Sequence, residues 1–131
     1  MPQKVLVLVV DDDAVGVALL KSRLTKEGYD VATAKNGVDG LDHLHKCRPD
    51  CIILDIEMPE MNGYSFIVEM QKEAAFRTLP VIVLTAHDEN KAIFANRGII
   101  HYLVKPVNFY ELLPKVKGLT EKGGFQSMID T

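Results

Sequence analysis

The residues able to do chemistry stand where apolar runs end. The stretch "VLVLVVDDD" (5–13) carries six apolar residues straight into Asp11, Asp12 and Asp13. "CIILD" (51–55) ends on Asp55, "PVIVLT" (80–85) on Thr85 and "IIHYLVK" (99–105) on Lys105. Two carboxylates about 4 Å apart repel by roughly 4 kcal/mol at an effective dielectric of about 20. Solvent or a bound cation has to offset that cost. Oxygen-only ligands suit a hard divalent cation, above all Mg²⁺, which keeps several of its waters. Such a cation would neutralise the acids and hold a phosphoryl oxygen. The Lys105 ammonium could clamp a second oxygen and the Thr85 hydroxyl a third. Phosphoryl transfer needs positioned positive charge of this kind more than covalent machinery. A metal-flanked carboxylate can also be the nucleophile, giving an aspartyl phosphate.

Positioning these groups falls to an alternating pattern. Apolar runs predict strands over 4–10, 29–34, 51–55, 79–85 and 99–105. Between and after them, helices are predicted over 14–28, 36–47, 64–74, 88–97 and 108–119. The first helix carries Val15, Leu19, Leu20 and Leu24 at helical spacing, with Gly28 as its stop. The second carries Val38, Leu41 and Leu44 on one face, and Phe66, Ile67 and Met70 are core residues of the third. Residues 58–63, "MPEMNG", are loop chemistry. Pro114 inside the last helix predicts a kink there, or a helix that begins later. Strand–helix alternation of this sort implies an α/β fold: a five-stranded parallel sheet, doubly wound as (βα)5. Open parallel sheets bind their ligands outside the carboxyl ends of the strands. Asp11, Asp12, Asp55, Thr85 and Lys105 all fall there.

The bulk properties narrow the function classes. A chain of 131 residues fits one domain, and 47% hydrophobic with 25% charged residues is ordinary for a globular protein. The pattern assigns 1–119 to that domain and 120–131, with Gly123 and Gly124, to a tail or linker. A net charge of −3 supplies no basic field for nucleic acid, so no direct nucleic-acid binding is expected within these residues. No apolar run approaches the ~18 residues of a membrane span. The N-terminus lacks the basic lead and small-residue cleavage site of a signal peptide. Cys47 and Cys51 are too few for a disulfide scaffold and are read as reduced, buried thiols of a cytoplasmic protein.

Together these segments resemble the receiver domain of two-component response regulators, the flavodoxin-like, CheY-like fold, over about residues 4 to 119. "LVLVVDDD" is similar to that family's acidic pair, "ILDIEMPEMNG" to its D-x-x-M-P-x-M-[ND]-G segment, "PVIVLTA" to its threonine segment and "YLVKP" to its lysine–proline segment. The resemblance implies that Asp55 is the phosphoacceptor. Asp12, Asp55 and the backbone carbonyl of Glu57 would bind Mg²⁺ directly, and Asp11 largely through water. Lys105 would contact the phosphoryl group, with a cis bond to Pro106. Thr85 would reorient toward the phosphoryl oxygen and Tyr102 turn inward after it. Glu57 and His87, two residues after Asp55 and Thr85, occupy positions that tune phosphoryl lifetime by controlling water access. The donor implied is a phosphohistidine of a sensor histidine kinase or a histidine phosphotransfer protein. The output implied is a domain or partner met by the face of the fourth helix, fifth strand and fifth helix, with a homodimer possible on such a face. Such a domain is a signalling module that assists its own phosphorylation and dephosphorylation, not an enzyme acting on other substrates. Gly98-Ile99 departs from the family's Gly-Ala before the fifth strand and bears on how the fourth helix packs.

Other readings of single residues stand beside these. Asp13 reads as a helix cap or solvated loop acid. His43 and His45, two apart on a helix, point to different sides and make no metal pair. His87 reads as a loop residue and His101 as structural. From the residues alone Tyr102 is a plain strand aromatic. The strongest enzyme rival resembles haloacid-dehalogenase-type phosphatases, whose D-x-D-x-[TV] string is matched by Asp11–Val15. It would put the nucleophile on Asp11, it lacks an acidic pair after Lys105, and it leaves Asp55 unexplained. No G-x-x-x-x-G-K-[ST] or G-x-G-x-x-G motif supports a nucleotide site.

Overall fold

The structure is a computed structural model that describes residues 4–57, 62–86, 91–99 and 101–121. Five strands, β1 (Leu6–Val10), β2 (Asp30–Ala34), β3 (Cys51–Asp55), β4 (Val81–Thr85) and β5 (His101–Val104), alternate with five helices. These are α1 (Ala14–Lys26), α2 (Gly37–Cys47), α3 (Gly63–Gln71), α4 (Lys91–Ala95) and α5 (Phe109–Thr120). The strands pair in parallel in the order β2-β1-β3-β4-β5. The order reverses between β1 and β3, and open α/β sheets bind their ligands at that crevice. The (βα)5 expectation is met. His87, residues 58–61, the start of the helix expected over 88–97, Ile100 and the tail from 122 onward lie outside the described residues.

Strand alternation sorts the core into two layers. Leu8, Val10, Ile52, Leu54, Val81 and Val83 face α2, α3 and α4, meeting Leu44, Phe66, Ile67, Met70 and Phe94. Val7, Val9, Cys51, Ile53, Ile82 and Leu84 face the other way, onto Leu20 and Leu24 of α1 and Leu112 and Val116 of α5. Both layers are shut to water, so β1, β3 and β4 read as apolar runs without polar alternation.

Element boundaries differ from the sequence reading in ways the core explains. β1 starts at Leu6, and β5 stops at Val104, leaving Lys105 as the next residue out. α1 buries a stripe of Val17, Leu20 and Leu24; Val15 and Leu19 fall on a different stripe and stand 71% and 61% exposed. Four apolar residues at these spacings cover a wider arc than one sheet face can receive. On α2 the contact face is Gly37, Gly40, Leu41 and Leu44, and Val38 is exposed. Cys51 is buried as expected, but Cys47 is only half-buried, its Sγ donating to the His43 carbonyl at 3.0 Å. α1 ends at Lys26 with Glu27 as its C-cap, and Gly28 just beyond is the stop expected, its φ of +98° suiting a residue without Cβ. α5 does not begin after Pro114. Asn108 Oδ1 caps it by accepting from the Tyr110 N–H at 2.8 Å, and the helix runs on through Pro114 to Thr120.

Gly63 opens α3 against the residue that follows the Asp55 strand. A Cβ there would lie 2.5 Å from Ile56 Cγ2 and 2.6 Å from its Cα. Since the Ile56 backbone is one of the clashing groups, a side-chain rotation does not relieve it. Gly63→Ala should therefore destabilise the fold by about 1–3 kcal/mol, the usual cost of overpacking. Denaturant unfolding checks this, and an unchanged midpoint would show that the Asp55 loop yields freely.

Candidate functional site

Strand register and side-chain parity gather the site. Val10 pairs with Leu54, so Asp11 comes level with Asp55 one residue beyond. Thr85 pairs with Val104, and the Lys105 N–H donates to the Thr85 carbonyl at 2.6 Å. By alternation Asp11, Asp55 and Lys105 continue the α1/α5 side of their strands. Thr85 continues the opposite side, that of Val81 and Val83. The first three accordingly meet: Lys105 Nζ lies 3.4 Å from Asp55 Oδ1 and 3.7 Å from Asp11 Oδ2. Thr85, 1% exposed, stands on the far side, where Oγ1 donates to Glu57 Oε1 at 3.4 Å. Tyr102 shares that side with Thr85: it is half-buried on the α3/α4 layer, 6.3 Å from the Phe94 ring, with Lys91 Nζ 5.8 Å from its centroid.

Local hydrogen bonds hold each acid. The Asp11 N–H donates to the Ala34 carbonyl at 3.0 Å, and Asp11 Oδ1 accepts from the Asp13 N–H at 3.0 Å. Asp13 caps α1, accepting from the Val15 N–H at 3.2 Å. Asp55 Oδ1 accepts from the Glu57 N–H at 3.1 Å. One carboxylate oxygen each from Asp11, Asp12 and Asp55 lie within 4.8 Å of one another, with Asp12 open to solvent and the other two buried. This donor set fits an octahedral, partly hydrated Mg²⁺: all oxygen, several negative charges, one side left to water.

The electrostatics show the strain of the arrangement. Burial raises Asp55 most, and the Glu57 N–H works against it. The neighbouring Asp11 adds to the rise and Lys105 subtracts, leaving the carboxyl pushed up from 3.8 to about 6. For Lys105 burial disfavours the ammonium, but Asp55, Asp11 and Glu57 together outweigh it and hold the group above its ordinary value.

The sequence-predicted residues therefore fall into two sets. Asp11, Asp12, Asp55 and Lys105 form one cluster, and Thr85 with Tyr102 lie on the opposite side of the strand ends. The Lys105–Pro106 bond is cis, as expected. His43 and His45 are surface residues: His45 Nε2 lies 2.9 Å from Glu73 Oε2, and His43 Nε2 3.8 Å from Asp39 Oδ1. His101 is half-buried in β5, and burial with Lys115 nearby holds it below the usual histidine range. Two features escaped the sequence reading. The Glu57 side chain crosses to β4 and accepts from the Ala86 N–H at 2.8 Å. Beside the aspartates, a cleft of about 250 Å³ is lined by Leu19, Leu20, Leu84, Pro106, Val107 and Phe109 among others. Neither carries a motif.

Residues 7–117 match the family model described as the response regulator receiver domain. This chain belongs to that family. The receiver domain is 38% identical over 120 residues to the transcriptional regulatory protein PrrA of Mycobacterium tuberculosis, an alignment covering 90% of this chain and 51% of that protein. It is 41% identical over 103 residues to the transcriptional regulatory protein GlrR of Escherichia coli, covering 77% and 23%. The chain thus spans about half or less of the length of these curated relatives. Among solved structures, the chemotaxis protein CheY4 of Vibrio cholerae superposes with a TM-score of 0.84 at 31% identity, covering 89% of this receiver domain and 99% of that chain. The response regulator TrrA of Thermotoga maritima, solved in complex with Mg²⁺ and BeF, superposes with a TM-score of 0.79 at 37% identity, covering 88% and 98%. The fold is CheY-like. No helix among the described residues is long and apolar enough to cross a membrane.

Buried Asp55 gives a signed pH dependence. Between 3.8 and about 6 the folded chain holds a proton that the unfolded chain has released. Stability therefore falls as pH rises through that window. In metal-free buffer, Asp55→Asn should remove this fall and be more stable than wild type above about pH 6. Denaturant unfolding across pH 4–8 measures it, and a variant less stable than wild type at pH 8 would mean that ionised Asp55 is net stabilising.

Proposed function

We propose that this receiver domain takes a phosphoryl group onto Asp55 from a phosphohistidine of a sensor histidine kinase or histidine phosphotransfer protein. The observation that carries this is the position of Asp55: buried at the end of the central strand β3, level with Asp11, and 3.4 Å from the one lysine ammonium in the cluster. Asp55 Oδ attacks phosphorus, the P–N bond breaks, and the imidazole leaves with the electron pair. Lys105 sits where it can follow an oxygen of the transferring group and stabilise its charge. Asp11, Asp12, Asp55 and the Glu57 carbonyl would hold Mg²⁺, which when bound supplies positive charge to the phosphoryl oxygens. The related TrrA, crystallised with Mg²⁺ and BeF, supports this reading of the acidic cluster.

Thr85 and Tyr102 share a side of the sheet, and this supports a switch. A phosphoryl oxygen that draws the Thr85 hydroxyl toward Asp55 would free space on the α3/α4 side for Tyr102 to move inward. The face of α4, β5 and α5 exposes Ile93, Val104 and Tyr110 to receive an output domain, a partner or a second copy. Exposed Val15 and Leu19 offer apolar surface for the phosphohistidine-bearing partner beside the site. The domain, taken as residues 1–119 with 120–131 as tail or linker, works in the cytoplasm as a signalling module.

Incubation with acetyl phosphate and Mg²⁺, followed by trapping and mass spectrometry, tests the acceptor. The expected product is a Mg²⁺-dependent adduct on Asp55 that Asp55→Asn abolishes. An adduct on Asp11 would instead favour the phosphatase-like chemistry in which Asp11 is the nucleophile.

A further inference from the structure

Resting on that reading, the contacts of Glu57 extend it. A single carboxylate oxygen, Glu57 Oε1, accepts from the Ala86 N–H at 2.8 Å and from Thr85 Oγ1 at 3.4 Å. Both donors sit at the end of β4, one of them the hydroxyl assigned above to the phosphoryl group. The Glu57 backbone N–H meanwhile donates to Asp55 Oδ1 at 3.1 Å, so the residue is tied to the phosphoacceptor at one end and to β4 at the other. The donors thus form a small anion-accepting pair at the end of β4, the strand whose Leu84 pairs with Asp55, and a side-chain carboxylate from the same chain already sits on it.

We propose that the Glu57 carboxylate is an internal competitor for the donors that a phosphoryl group on Asp55 would use. In the unphosphorylated chain it satisfies the Ala86 N–H and holds Thr85 on the α3/α4 side. A phosphoryl oxygen can take these donors only by displacing it. The glutamate is exposed, so once displaced it has water to turn into and the exchange needs no rearrangement of the core. This role differs from control of water access. It acts on how readily the activated state forms, and it favours the resting position of Thr85. Here Glu57 is a positioning residue, acting through Thr85 and Ala86.

The test uses the full chain and beryllofluoride with Mg²⁺ as a non-covalent phosphoryl mimic. It compares wild type, Glu57→Ala and Asp55→Asn in about 0.5 M salt, where through-space effects of surface charge are largely screened. Without beryllofluoride, the Ala86 amide resonance should move upfield in Glu57→Ala as its charged acceptor is lost. With it, Glu57→Ala should bind the mimic about tenfold more tightly than wild type, the effect of one charge-assisted hydrogen bond of ordinary strength. An Ala86 amide unmoved in the free variant would overturn the contact. A moved amide with unchanged or weaker binding would overturn the competition. Mimic that binds neither wild type nor Glu57→Ala, or that still binds Asp55→Asn as wild type does, would instead sink the phosphoacceptor reading, and the competition with it. The Ala86 amide, read without the mimic, keeps the two failures apart.

Discussion

Three aspartate oxygens within 4.8 Å of one another, two of their carboxyls buried, bring like charges together where desolvation makes them costly. Much of the structure around them answers this one electrostatic constraint. Lys105 brings an ammonium to 3.4 Å and 3.7 Å, backbone N–H groups of Asp13 and Glu57 each donate to one acid, and Asp55 still sits at about 6. Burial is the main cause of that rise and Asp11 adds to it, so the ionised carboxylate is the form that further positive charge would favour. In the proposed function a divalent cation would supply that charge, and Lys105 with the cation would then receive the negative phosphoryl group.

The sheet makes the constraint possible by its register. The reversal of strand order between β1 and β3 opens a crevice, and the pairing of Val10 with Leu54 puts Asp11 and Asp55 at one level inside it. Parity then divides the labour. Side chains of one parity, Asp11, Asp55 and Lys105, gather the charge over the α1/α5 layer. Thr85 and Tyr102, of the other parity, sit over the α3/α4 layer. In the proposed switch, a hydroxyl drawn from one side toward the other would carry a chemical event at Asp55 into the packing of α4 and β5. Glu57 spans both sides, which is why it can bear on the balance between them.

Much of this was legible in the residues. Apolar runs ending on Asp, Thr and Lys placed four of the five strands, β2 (DVATA) being the exception, and their ends named the cluster, because a buried parallel strand has no polar alternation to confuse its reading. The helix faces were less legible. Val15, Leu19 and Val38 fit helical spacing yet face water, since periodicity finds a stripe without saying which part of it the sheet covers. Pro114 argued for a kink or a later helix start, but with Asn108 as its cap the helix begins at Phe109. The reach of the Glu57 side chain to Ala86 had no signature, because it depends on how two loops approach in space.

The most direct measurement is the unfolding free energy of the wild-type chain at pH 8 as a function of Mg²⁺ concentration. If the acidic cluster is a cation site, stability rises with the logarithm of free Mg²⁺ at a slope of one ion, gaining about 2.7 kcal/mol at a hundred times the dissociation constant. A stability that stays flat from metal-free buffer to millimolar Mg²⁺ would contradict the account, leaving the carboxylates balanced by Lys105 and solvent alone.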